Sequence, residues 1–112
     1  MNELIKQLPQ AIAGYIEAAN AQAPERVAAC FGADATVLDE ARVWRGREQI
    51  AAWARETGVR YQSTIEARAL EQADGRHRLQ ASVRGRFPGS PVTLSFDFLL
   101  QSGSIQSLEI KP

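Results

Sequence analysis

The sequence predicts an α+β fold, with helices in the first half of the chain and antiparallel strands in the second. Three observations carry this expectation. Leu4, Ile5, Leu8, Ile12, Tyr15, Ile16 and Ala19 recur at helical spacing and draw one apolar stripe. From Val59 onward the pattern changes to alternation, the period of a half-buried strand. Within that half, Asp74-Gly75 and Ser102-Gly103 are hairpin-turn dipeptides between the alternating runs.

Taken in order, the first helix carries the stripe and meets Pro9. Either the helix begins there with proline in its first turn, or an earlier turn joins it through a kink. Asn20 closes it, and Pro24 opens a second, short helix expected to run to Phe31 and to end at Gly32 in a left-handed cap. Asp34 marks a turn, and Ala35–Leu38 is a short β-prone run that delivers Asp39 at its far end. Asp39 shares a face with Val37. The residues alone leave open whether its carboxylate turns inward with Val37 or out to water. Glu40 to Arg45 reads as a connection carrying Trp44. A third helix follows from Arg47 to Thr57, with Ile50, Trp53, Ala54 and Thr57 on one face and Gly58 as its stop. The strands are then Val59–Gln72, His77–Phe87, Val92–Leu100 and Ile105–Ile110, with Pro88-Gly89-Ser90-Pro91 turning the chain between the second and third. Three amphipathic helices need a sheet to cover them, and these strands supply it.

At 112 residues the chain is expected to form one domain, residues 1–112. A chain of this length buries about two-thirds of its unfolded surface, so no metal or disulfide staple is needed. Lys plus Arg and Asp plus Glu are balanced at 13 each, so no net field draws the protein to nucleic acid or an acidic membrane. No stretch is long and apolar enough for a membrane span. The N-terminal MNELIKQLPQ lacks the basic and apolar regions of a signal peptide, which makes the cytoplasm the expected compartment. The single cysteine, Cys30, lies in an apolar run and reads as a packed thiol. One His and one Cys give no zinc ligand set, no glycine-rich phosphate loop is present, and no cofactor is expected.

The run FGADATVLDE, followed by WRGREQIAAW and preceded by YIEAAN and PERVAACF, resembles the NTF2-like superfamily, in particular its ketosteroid-isomerase and SnoaL-like cyclase branch. The resemblance covers nearly the whole chain. It implies a cone: three N-terminal helices on a curved antiparallel or mixed sheet that encloses an apolar cavity. It also implies an apolar or carbonyl-bearing small molecule as ligand and, with the mixed polar sheet face, a homodimer.

In ketosteroid isomerases a tyrosine of the first helix donates to the substrate oxygen and a strand-end aspartate moves the proton. These positions fall on Tyr15 and Asp39. Phe31, Trp44, Trp53, Tyr61, Phe96 and Phe98 are candidate cavity walls. The chain departs from the pattern in three places. The second acid that partners the tyrosine falls on Phe96 or Ser95, with Asp97 on the opposite face. The proline after the catalytic aspartate is Glu40. A supporting tyrosine of the third helix is Ala54. A His–Asp dyad, as in the dehydratase and dehalogenase branches, would need His77, expected in solvent beside the Asp74-Gly75 turn. The Asp-Arg-Asp set of the epoxide-hydrolase branch has no clear counterpart. Arg78, Arg84 and Arg86 line one strand face that could hold an anion; mixed with Gln80 and Ser82, they read rather as a solvated or interface face. Two functions follow: isomerase-like proton transfer next to a carbonyl, or a non-catalytic module of the same fold that binds a hydrophobic ligand or dimerises.

Overall fold

The computed structural model describes residues 3–112. A 3-10 helix (Glu3–Gln7) leads into α1 (Gln10–Asn20), α2 (Pro24–Ala29) and, after two strands, α3 (Gly46–Tyr61). The strands are β1 (Phe31–Asp39), β2 (Arg42–Arg45), β3 (Thr64–Ala73), β4 (Arg76–Arg84), β5 (Val92–Gln101) and β6 (Ser104–Lys111). They form one sheet in the order β2-β1-β6-β5-β4-β3. Every neighbouring pair is antiparallel except β1 and β6, which run parallel. The α+β class read from the sequence is the class observed.

Pro9 stands just outside α1 with extended backbone (φ −52°, ψ 147°), so the stripe is split into a 3-10 turn and a separate helix. Ile12, Tyr15, Ile16 and Ala18 are the buried face of α1. Register irregularities place extra residues in β1 between Phe31 and Thr36, in β3 at Arg68, and in β6 at Gln106, opposite Leu99 and Leu100 of β5. Each extra residue adds local twist and bends its strand, which lets the sheet curl around the helices. The inner faces of the strands, with Phe31, Val37, Leu79, Ala81, Phe96, Phe98, Ile105 and Leu108, close on α1 and α3 to make the core.

Several boundaries differ from the sequence reading. α2 ends at Ala29 and Gly32 belongs to β1, because Cys30 closes the helix in the ordinary right-handed region and the chain extends at once. Glu40 to Arg45 is a hairpin rather than a loose connection: Arg42–Arg45 pairs with Thr36–Asp39 across a two-residue turn. That turn has positive φ at Glu40 (52°) and Ala41 (63°), the geometry normally given to Asn-Gly, so its sequence hides it. α3 runs through Gly58 to Tyr61, and the left-handed residue that ends it is Gln62 (φ 46°). The third helix thus takes the residues through Tyr61 that alternation assigned to a strand.

At the end of α1, Asn20 acts as a substitute strand. Its Nδ2 donates to the Ile65 carbonyl (3.0 Å) and its Oδ1 accepts from the Ile65 N–H (2.8 Å), fixing the edge strand β3 to the helix. This clamp sets the gap between α1 and the sheet.

Candidate small-molecule site

Between α1, α3 and the inner face of the sheet lies a cavity of about 420 Å³. Tyr15, Asp39, Trp53, Tyr61 and Phe96 all border it. α1 presents Tyr15 because that position lies one turn beyond Ile12 on the buried stripe. β1 presents Asp39 because alternation from Ala35 and Val37, both fully buried, carries the inward face to the strand's last residue. The two readings left open for Asp39 meet halfway: its carboxylate is half-buried at the cavity wall.

One oxygen of that carboxylate is held. Trp53 Nε1 donates to Asp39 Oδ2 at 3.0 Å. Burial pushes the Asp39 pKa up, the Trp53 bond opposes it, the neighbouring Glu40 charge adds to the rise, and the Glu40 backbone bond again opposes it. Burial prevails, so Asp39 is a stronger base than a solvated aspartate. Replacing Trp53 with Phe removes the donor, along with some ring volume, and retains an aromatic ring beside Tyr15. Asp39 must then rise further, so the acid limb of any Asp39-dependent pH profile moves to higher pH. A profile unchanged by Trp53→Phe would contradict this link.

Tyr15 is 3% exposed and packed among rings. Trp53 lies parallel to it (6.4 Å, 6°), Phe98 and Phe31 meet it edge-on (5.7 and 6.1 Å), and Phe96 is tilted against it (6.4 Å). Burial pushes its phenol far above the ordinary value, with further rises from the charges of Asp39 and Cys30. The phenol therefore stays protonated and can act only as a hydrogen-bond partner, not as a base.

Six aromatic residues were candidates for the cavity wall, and the structure divides them. Trp53, Tyr61 and Phe96 border the cavity. Phe31 and Phe98 lie behind Tyr15 in the core rather than on the wall, because their strand positions fall beneath the helix. Trp44 is buried where β2 pairs with Val37, under the Arg42 guanidinium (3.8 Å from the ring centroid), and does not line the cavity.

The departures from the isomerase pattern are physical. Of the two residues expected at the second-acid position, Phe96 turns its ring toward Tyr15, while Ser95 Oγ donates to Gln80 Oε1 (3.2 Å). Asp97 faces the other side of the sheet, paired with Arg78 (2.9 Å) and Lys111 (3.2 Å), which hold its carboxyl below the usual range against the desolvation that raises it. Ala54 lines the cavity and leaves space there. His77 is half-buried rather than solvated, its Nδ1 shielded without a partner, and it does not border the cavity. Cys30 is raised in pKa by desolvation, opposed by Arg26, and its Sγ donates to the Arg26 carbonyl at 3.5 Å. Among the described residues no group of three or more His, Cys, Asp or Glu could hold a metal ion, and no helix is long and apolar enough to cross a membrane.

The sequence reading missed the cavity's rim. Glu40 Oε2 accepts from the Tyr61 hydroxyl at 2.6 Å, and Arg60 sits 3.6 Å from both Glu40 and Glu56. Phe87 meets the Tyr61 ring edge-on at 5.9 Å and also lines the cavity. Gly85 permits this closure: a Cβ there would stand 2.6 Å from the Tyr61 carbonyl, to which Arg86 N–H donates. Val83, Leu94 and Ile110 complete the inner wall, and alternation could have named them.

No protein-family model matches the sequence, and no curated protein is similar enough to count as a match. Solved structures are similar. One, a protein of Sinorhizobium meliloti assigned as a polyketide cyclase, is 30% identical with a TM-score of 0.91, over 96% of this chain and 98% of that one. A second, from Catenulispora acidiphila, has a ketosteroid-isomerase-like fold and was solved with trimethylamine. It is 21% identical with a TM-score of 0.83, over 93% of this chain and 85% of that one. The epoxide hydrolase/cyclase-like enzyme SalBIII, which takes part in pyran ring formation in salinomycin, is 19% identical with a TM-score of 0.78, over 99% and 93%.

Proposed function

The chain belongs to the NTF2-like superfamily, in its ketosteroid-isomerase and SnoaL-like cyclase branch, and from this premise we propose that it binds an apolar carbonyl compound and moves a proton on the carbon beside the carbonyl. The observation that supports this reading is the shared wall: Asp39, held by Trp53, and Tyr15 border one cavity.

In this reading Asp39 takes the proton from the C–H. The bonding pair moves into the carbon skeleton and the carbonyl becomes an enolate. Tyr15 donates its O–H to that oxygen. Negative charge is relocated from Asp39 to the substrate and not added, so Tyr15 faces one anion throughout. Asp39 then returns the proton at a second carbon, or the enolate carbon attacks a second carbonyl carbon of the same molecule, whose C=O π pair moves onto oxygen and takes the proton from Asp39 as the ring closes. Positioned donors aimed at a developing oxyanion act strongly where water is excluded.

Tyr15→Phe tests the donor. Solvent-deuterium exchange into an apolar cyclic ketone should slow on the order of 10²-fold, with little change in ketone affinity. Unchanged exchange removes Tyr15 from the mechanism. With Phe96 or Ser95 where a second acid would stand, the oxyanion has one acidic donor fewer, and slow turnover is expected. That same feature favours the rival reading, a non-catalytic module for a hydrophobic ligand, which predicts binding without exchange. The outer sheet face, with the Arg78–Asp97–Lys111 cluster, is the surface through which a homodimer would form.

A further inference from the structure

We propose that the ligand of the cavity carries a positive charge, as a protonated or quaternary amine on an apolar ring or chain, and that Asp39 is its counter-ion. This rests on reading the cavity as a small-molecule site and is independent of whether turnover occurs.

The composition of the wall sets the sign of the charge it favours. Its acidic side chains are Asp39 and Glu40, and among the described residues no Lys, Arg or His side chain lines it. Five aromatic rings do: Tyr15, Trp53, Tyr61, Phe87 and Phe96. The faces of aromatic rings carry partial negative charge and attract a desolvated cation. A carboxylate beside those rings adds a full charge of the same sign. An anionic ligand would meet Asp39 beside apolar walls with no lining cation to offset it, whereas a positive charge on the ligand would add an ion pair with the half-buried carboxylate to the apolar contacts a neutral ligand makes.

Three basic residues are near the rim or near Asp39, and none changes the sign. Arg42, paired with Asp39 in the β1–β2 register, is exposed and lays its guanidinium over the Trp44 ring, outside the cavity lining. Arg60 is more than half exposed and is shared between Glu40 and Glu56, so it cannot neutralise both. Arg86 approaches through its backbone N–H, which donates to Tyr61, while its side chain is exposed. Asp39 has no ion-pair partner within the wall: its bonds come from Trp53 and the Glu40 backbone, which are neutral. The Glu40 carboxylate is already engaged by Tyr61 and Arg60, which leaves Asp39 as the acid available to a ligand.

The test compares two probes of the same shape and different charge on the full chain by calorimetry: (4-hydroxyphenyl)trimethylammonium and its neutral isostere 4-tert-butylphenol. At neutral pH the ammonium should bind at least about tenfold more tightly, equivalent to about 1.4 kcal/mol. In Asp39→Asn that preference should fall below about threefold while affinity for the neutral probe is retained, and in Glu40→Gln it should persist. 4-Hydroxybenzenesulfonate should bind more weakly than either. Equal or tighter binding of the neutral isostere overturns the charge inference and leaves the cavity reading intact. Ammonium preference that survives Asp39→Asn overturns the assignment of the counter-ion. Absence of binding by both probes at millimolar concentration overturns this inference and the small-molecule reading together.

Discussion

Asp39→Asn should lower the rate of proton exchange by about 10²–10⁴, the contribution of a positioned base. The amide keeps an oxygen for Trp53 Nε1, so the cavity wall should hold its shape. The same substitution should raise the melting temperature at neutral pH. Asp39 has a folded pKa above its unfolded value, so the folded state holds its proton more tightly. Stability from this group is full below the unfolded pKa and declines as pH rises through the folded one. At neutral pH the ionised carboxylate therefore weakens the fold, and the neutral amide removes that cost. The gain from Asp39→Asn should shrink as the solution is acidified through the carboxylate range. Loss of exchange together with gain of stability is the signature of a residue kept for chemistry. A variant that exchanges at full rate, or loses stability at neutral pH, would contradict the role.

Phe98→Ala should cost about 3–5 kcal/mol, the range for truncating a buried aromatic. Phe98 is 1% exposed, meets Tyr15 edge-on and lies nearly parallel to Phe96 at 6.4 Å. Its removal leaves a hole behind the phenol rather than at the cavity wall. Small domains have total stabilities of about 5–15 kcal/mol, so this one substitution removes a large share. The melting temperature should fall by on the order of 15–30 °C. Thermal unfolding followed by circular dichroism measures it, and a loss under 1 kcal/mol would show that the neighbours collapse into the space. Phe31, also behind Tyr15 and fully buried, belongs to the same layer.

The contrast between these two residues shows what the sequence made legible. Alternation put Asp39 on the face of Val37 and left its final direction open, and helical spacing placed Tyr15 on the apolar stripe. Both rest on local periodicity, which survives folding. The division of the aromatics was not legible, because depth depends on which helix lies over which strand. Phe96 and Phe98 share a face and a spacing, yet one borders the cavity and the other does not. Trp44 was hidden by a hairpin whose turn, Glu40-Ala41, lacks the residues that usually announce positive φ. The bonding of Tyr61 to Glu40 joins positions 21 apart in sequence, and no local pattern encodes such a pair.

The most direct measurement is the titration of the Asp39 carboxyl carbon by NMR in the free protein, with Asp39→Asn to assign it. A carboxylate in the wall of an apolar cavity should titrate above the solvated value of about 3.9, and higher still in Trp53→Phe. Titration at or below that value in both proteins would mean that water reaches the group freely, and would contradict its placement as a base facing the cavity.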